Sequence, residues 1–65
     1  MRPSRREIEI ARLIALGKTY KDIARELGIA PRTVDSHRHR LYREVKARGI
    51  ADITRWCIRM GLVEA

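Results

Sequence analysis

Arg32, Thr33, Asp35, Ser36, His39, Arg40 and Arg43 crowd one short stretch of the chain and mix two kinds of side chain. Short polar groups such as Thr, Ser, Asp and His can exchange hydrogen bonds with the edges of bases. Arginine forks onto phosphate or onto a guanine edge. A plain solvated helix face would carry Glu and Lys at i,i+4 spacing instead. In this stretch Asp35 is the single acid before Glu44. The pattern points to recognition of an anionic polymer, with base reading interleaved with phosphate gripping.

Other chemistry is poorly served. His37, His39 and Cys57 suggest a metal at first sight, but His37 and His39 project about 200° apart on a helix and cannot share one ion. Three such residues also fall short of a four-ligand zinc site. There is no glycine-rich phosphate loop and no inward carboxylate pair at a workable spacing. Cys57 falls on an apolar stripe, where a thiol acts as a small hydrophobe. No catalysis, metal, cofactor or small-molecule ligand is expected.

Composition agrees. The 65 residues suffice for one domain, spanning 1–65. A domain of that size buries only about 60% of its unfolded surface, which leaves no room for a deep substrate pocket beside a core. Fifteen Lys and Arg against eight Asp and Glu give a net charge of +7 and a pI near 10.8, a surplus that calls for an anionic partner. A membrane surface is disfavoured because no apolar face accompanies the arginines. The lone Cys57 can form no internal disulfide, which fits a reducing cytoplasm. Met1-Arg2-Pro3-Ser4 leads straight into charged residues, and no apolar run approaches the roughly 18 residues of a membrane span.

The elements that must position these residues all have a period of 3.6, so the fold is expected to be all-α, with four helices. Ser4-Arg5-Arg6-Glu7 is a capping box that opens the first, with Ile10, Leu13 and Ile14 as its apolar stripe and Gly17 at its end. Thr19 caps the second, whose Tyr20, Ile23, Ala24 and Leu27 share a face before Gly28. The third opens at Pro31 and runs to about Lys46, burying Val34, Leu41 and Val45, with His37 or Arg38 filling the turn between. Ala47-Arg48-Gly49 breaks the pattern. A fourth runs from about Ala51 to Met60, with Ile53, Cys57 and Gly61 inward and Trp56 flanking.

Between Tyr20 and Leu41 the spacing is that of two helices joined by a tight turn. Ala24 allows close backbone approach, Gly28 supplies a left-handed conformation, and Ile29 and Val34 lock the crossing from inside. Such a helix-turn-helix presents its second helix as a ridge able to enter the major groove.

From Ser4 to Leu62, without a gap, the chain resembles the LuxR/GerE-type helix-turn-helix domain of bacterial transcription regulators. The matching residues are Ser4-x-Arg6-Glu7-x-Glu9-Ile10, Ala15-x-Gly17, Lys21-Asp22-Ile23-Ala24-x-x-Leu27-x-Ile29, Thr33-Val34-x-x-His37-x-x-x-Leu41, Ala51-Asp52-Ile53 and Gly61-Leu62. The resemblance implies a four-helix domain that binds double-stranded DNA as a homodimer through its last helix and regulates transcription. It implies base reading by Asp35, Ser36 and His39. Phosphate contacts would come from Lys21, Arg32, Thr33 and Arg40, with Arg43 on the same outward face. The sequence departs from the family pattern at Asp35, where a basic residue is common, and at Ala30 in place of a capping Ser. It departs again at Glu44-Val45 in place of Lys-Leu, and at Ile50 in place of an Arg that often opens the fourth helix.

On that fourth helix Ala51, Thr54, Arg55, Ile58 and Leu62 form the outward side, and Ile58 and Leu62 at i,i+4 could pair two copies in a weak dimer. The alternative is that they complete the monomer's own core. No receiver or ligand-sensing segment precedes the motif here. Control would then come from expression level, oligomerisation or a partner such as RNA polymerase or another regulator, unless these residues are part of a longer protein. Two other functions fit the same scaffold: a promoter-binding module similar to region 4 of sigma factors, and a protein-interaction or anti-activator module.

Overall fold

The computed structural model describes residues 3–65; Met1 and Arg2 lie outside the described residues. Four helices follow in order: α1 (Arg5–Ala15), α2 (Tyr20–Leu27), α3 (Pro31–Val45) and α4 (Ile50–Arg59). No strand occurs among the described residues. The all-α, four-helix expectation therefore holds.

The capping box forms as the sequence suggests. Ser4 Oγ accepts from the Glu7 N–H at 3.1 Å, and Glu7 Oε1 accepts from the Ser4 N–H at 2.8 Å. At α2, Thr19 Oγ1 accepts from the Asp22 N–H at 3.1 Å. Gly28 then ends the helix with φ +69°, and the Ile29 N–H returns to the Ala24 carbonyl at 3.0 Å. A β-branched residue at Gly28 would be strained, and the turn could not close in so few residues. Ala30 offers α3 no side-chain cap, so Pro31 carries the start alone.

Three details differ from the sequence expectation. The left-handed residue that stops α3 is Lys46, with φ +59° and no glycine to ease it; the Ala47 N–H closes the turn on the Tyr42 carbonyl at 2.8 Å. Helix α4 begins one residue early, at Ile50, because the Asp52 carboxylate takes the Arg48 N–H at 2.8 Å and folds the chain into the first turn. Gly61, expected inward beside Cys57, is exposed and works as a stop. Its φ is +74°, and the Leu62 N–H reaches the Cys57 carbonyl at 2.8 Å.

The core gathers Ile10, Leu13 and Ile14 of α1, Ile23 and Ala24 of α2, Val34 and Leu41 of α3, and Ile53 and Cys57 of α4. Helix α1 packs across both α3 and α4, while α2 lies mainly on α3. That arrangement buries the Val34 and Leu41 edge of α3 and frees its opposite side.

One polar residue lies in this core. Glu7 has no exposed surface. Its Oε1 is satisfied by the cap, whereas Oε2 of Glu7 and Oε1 of Glu44 are shut from solvent with no hydrogen-bond donor among the described residues. Burial pushes the Glu7 carboxyl up, but the Ser4 backbone bond, a hydrogen bond from Glu44 and the Arg40 charge together hold it below its ordinary value. Glu44 is raised, first by its hydrogen bond to Glu7 and then by burial. The two carboxyls thus shift in opposite directions, Glu7 down and Glu44 up, as expected of a pair in contact.

Candidate nucleic-acid interface

The outward side of α3 holds Arg32, Ser36, His39, Arg40 and Arg43 exposed, with Thr33 and Asp35 half-buried at its margin. Their i,i+3 and i,i+4 spacing brings them onto one surface. Lys21, the remaining phosphate candidate, stands exposed in the first turn of α2. Ser36 Oγ donates to the Arg32 carbonyl at 3.1 Å, which fixes its hydroxyl but leaves its lone pairs outward.

Asp35 is more constrained than its sequence position suggests. Arg38 donates to Asp35 Oδ1 twice, from Nε at 3.0 Å and from Nη2 at 2.9 Å. Asp35 Oδ2 lies 3.4 Å from His39 Nε2. The Arg38 hydrogen bond, opposed by a smaller burial effect, holds the Asp35 carboxyl below its ordinary value of 3.8. The guanidinium of Arg38 sits 5.5 Å from the ring centre of Tyr20 and 5.1 Å from that of Tyr42, within cation–π range of both. Burial pushes the Tyr20 phenol above its ordinary value, so it stays neutral beside the arginine. Arg38 was expected at most as filler in a core turn. Its two tyrosines come from separate helices, and no local spacing announces that.

Arg40 is also tethered. Its Nε lies 3.7 Å from Glu7 Oε2, although 62% of the side chain remains exposed. His37 is half-buried while His39 is exposed, in keeping with their opposite directions on the helix. Among the described residues no three His, Cys, Asp or Glu side chains come together as a metal site. No described helix is long and apolar enough to cross a membrane.

On α4, Ala51 and Arg55 are exposed and Thr54 donates its hydroxyl to the Ile50 carbonyl at 3.0 Å. Arg55 is paired with Asp52. Ile58 is 38% exposed, whereas Leu62 packs against the core. The two members of the expected apolar pair therefore differ: one faces out, and the other is partly absorbed by its own monomer.

Comparison with known proteins adds an independent finding. The family model described as bacterial regulatory proteins, luxR family, matches residues 4–57. The chain is similar to the response regulator UvrY of Escherichia coli K12, at 34% identity over 62 residues, covering 95% of this chain and 28% of that protein. It is 48% identical over 49 residues to the C4-dicarboxylate transport transcriptional regulatory protein DctR of Rhodobacter capsulatus, covering 75% of this chain and 25% of that one. Nodulation protein W of Bradyrhizobium diazoefficiens is 36% identical over 59 residues, covering 91% and 26%. The chain thus spans about a quarter of the length of the curated relatives it matches. No solved structure matches it.

Proposed function

Because the chain belongs to the luxR family of bacterial regulatory proteins, we propose that it is a sequence-specific duplex-DNA-binding domain that regulates transcription in the bacterial cytoplasm. The observation that carries this reading is the division of α3. Val34 and Leu41 are wholly buried, while Arg32, Ser36, His39, Arg40 and Arg43 stand exposed on the far side. A helix anchored along one edge and lined with arginine and short polar groups along the other suits insertion into the major groove.

In this reading Asp35, Ser36 and His39 read bases, and Lys21, Arg32, Thr33, Arg40 and Arg43 grip phosphates. Residues 1–65 act as one domain. Two copies meet through Ala51, Thr54, Arg55, Ile58 and Leu62 of α4 and the turn after it. That patch is small against the roughly 1,200 Å² of a stable interface, so the dimer forms mainly on DNA. The recognition helices then lie about one helical turn apart on a pseudo-palindromic site. That UvrY is a response regulator and DctR a transcriptional regulatory protein supports the regulatory role. No reaction is proposed.

The test is a binding selection on random duplexes with the purified chain at two salt concentrations. Six to ten phosphate contacts cost about 10³ to 10⁵ in affinity between 50 and 200 mM salt. An enriched motif with that steep dependence is the expected result. A flat salt response removes the nucleic-acid reading, and a steep response without a motif removes sequence specificity.

A further inference from the structure

Resting on the DNA reading above, we propose that Arg38 is the positioning residue for base readout. It locks the Asp35 carboxylate and the His39 ring into one arrangement and is itself held by Tyr20 of α2.

Arg38 differs from every other arginine on α3. Only 21% of its side chain is exposed, against 62% for Arg40. Its guanidinium lies over the rings of Tyr20 and Tyr42, which draws it back from the outward surface. Two of its nitrogens serve the two neighbouring readers. Nε and Nη2 both serve Asp35 Oδ1, and Nη2 also lies 3.0 Å from His39 Nε2.

Three consequences follow from elementary chemistry. With Oδ1 occupied by a two-pronged donor and Oδ2 3.4 Å from His39 Nε2, the carboxylate is held in one orientation, and Oδ2 is the oxygen with a lone pair to offer, for example to a cytosine amine. His39 Nε2 lies between Arg38 Nη2, which can only donate, and Asp35 Oδ2, which can only accept, at 3.0 and 3.4 Å. The imidazole is thereby held in one orientation as it faces outward. Finally, the arginine charge offsets that of Asp35, a carboxylate that would otherwise repel the phosphates beside it. Unlocked, both side chains would have to be ordered at the moment of binding. Locked, they meet the groove already arranged.

The clamp also links the two helices of the motif. Tyr20 opens α2, and through Arg38 it bears on the readers of α3. Sequence preference thereby depends on a residue outside the recognition helix.

The experiment has two arms. In the free wild-type protein, three-bond NMR couplings report the χ1 rotamers of Asp35 and His39. The expected result is one dominant rotamer for each, and rotamer averaging at both overturns the proposal without any variant. In the second arm, random-duplex selection compares wild type with Arg38→Met, Arg38→Lys, Asp35→Ala and the Arg38→Met/Asp35→Ala pair, with melting curves alongside. Arg38→Met should lose about tenfold or more in discrimination at the base pairs that Asp35 reads. Arg38→Lys, which keeps charge and bulk but not the two-pronged bond, should recover only part of it. In the Asp35→Ala background, Arg38→Met should change nothing further at those base pairs. A folded Arg38→Met or Arg38→Lys chain that selects the wild-type motif with undiminished discrimination overturns the inference alone. So does a loss spread evenly over all sequences, which marks a plain phosphate contact. A wild-type chain with no sequence preference overturns the DNA reading itself.

Discussion

Arg40 Nε lies 3.7 Å from Glu7 Oε2, so an arginine on the outward side of α3 is tied at its root to the carboxylate that caps α1. The same carboxylate faces Glu44, and one oxygen of each is buried with no hydrogen-bond donor among the described residues. Helix α1 therefore does more than supply apolar surface; it sets the electrostatics behind the exposed arginines.

Glu44→Gln and Glu44→Lys are expected to raise the Tm by a few degrees near neutral pH. Gln supplies the N–H that Glu44 provides only while protonated, and Lys replaces a like charge with an opposite one. Glu7→Ala should cost about 2 kcal/mol, from a lost cap and a Ser4 N–H left without its acceptor. In a domain of this size each kcal/mol moves Tm by roughly 4–8 °C. Circular dichroism melts check all three. A Glu44→Lys chain that melts below wild type would show that the two carboxyls do not meet.

The pH profile has a definite sign. The folded-state value of Glu44 is raised above its ordinary 4.5, so its contribution is full below that pH and is lost as pH rises through the folded value. Asp35 and Asp52 are depressed below 3.8, Asp35 first by the Arg38 hydrogen bond and Asp52 first by the Arg48 N–H. Their contributions are present above 3.8 and lost as pH falls through the folded values. Glu7, held below its ordinary 4.5, adds to the limb lost on acidification, so stability should peak in the mildly acidic range and decline toward neutrality as Glu44 ionises. Glu44→Gln should flatten that decline while leaving the acid limb intact. Urea titrations across pH measure both limbs.

Val34→Asp and Ser36→Ala should separate fold from recognition. Val34 has no exposed surface, and a buried unpaired carboxylate costs several kcal/mol, most of what a domain this small has. That variant should be unfolded. Ser36 hydrogen-bonds only within its own helix, so Ser36→Ala should keep its melting curve and lose specific binding alone.

Arg40→Ala and Asp35→Ala should fail differently on DNA. Removing a phosphate contact weakens all sequences about equally and lowers the salt slope by about 1. Removing Asp35 should instead change which bases are preferred. Anisotropy titrations against the selected site and a scrambled duplex distinguish the two. Equal, sequence-blind losses would mean that the reading positions are misassigned.

Ile58→Glu tests the pairing of two copies. Ile58 is exposed, so the monomer should fold, and cooperative binding to a two-half-site duplex should disappear while single half-site binding persists. Retained cooperativity would rule out the α4 interface.

Much of this architecture is legible locally. Ser4 with Glu7, Thr19 with Asp22, and Gly28 announce helix ends within a few residues, because caps are made by neighbours in sequence. The buried edge of α3 follows from the spacing of Val34 and Leu41. The end of α3 was less readable, because Lys46 takes a conformation usually left to glycine. The start of α4 turned on one carboxylate reaching back to Arg48. The acid pair at Glu7 and Glu44 and the Tyr20 side of the Arg38 clamp were not legible, since each depends on which residues of separate helices come face to face. Asp35, His39 and Tyr42 all lie within four residues of Arg38, but the sequence offers Arg38 equally as filler of a core turn.

Cys57 has no exposed surface, and burial pushes its thiol above its ordinary value. An alkylating reagent can therefore reach the sulfur only in molecules whose core has opened, so the rate of labelling is a clock for that opening. Any partner that binds the closed form slows the clock by the factor 1 + [L]/Kd. The chain thus carries its own unlabelled gauge of affinity, readable by mass alone on the native sequence.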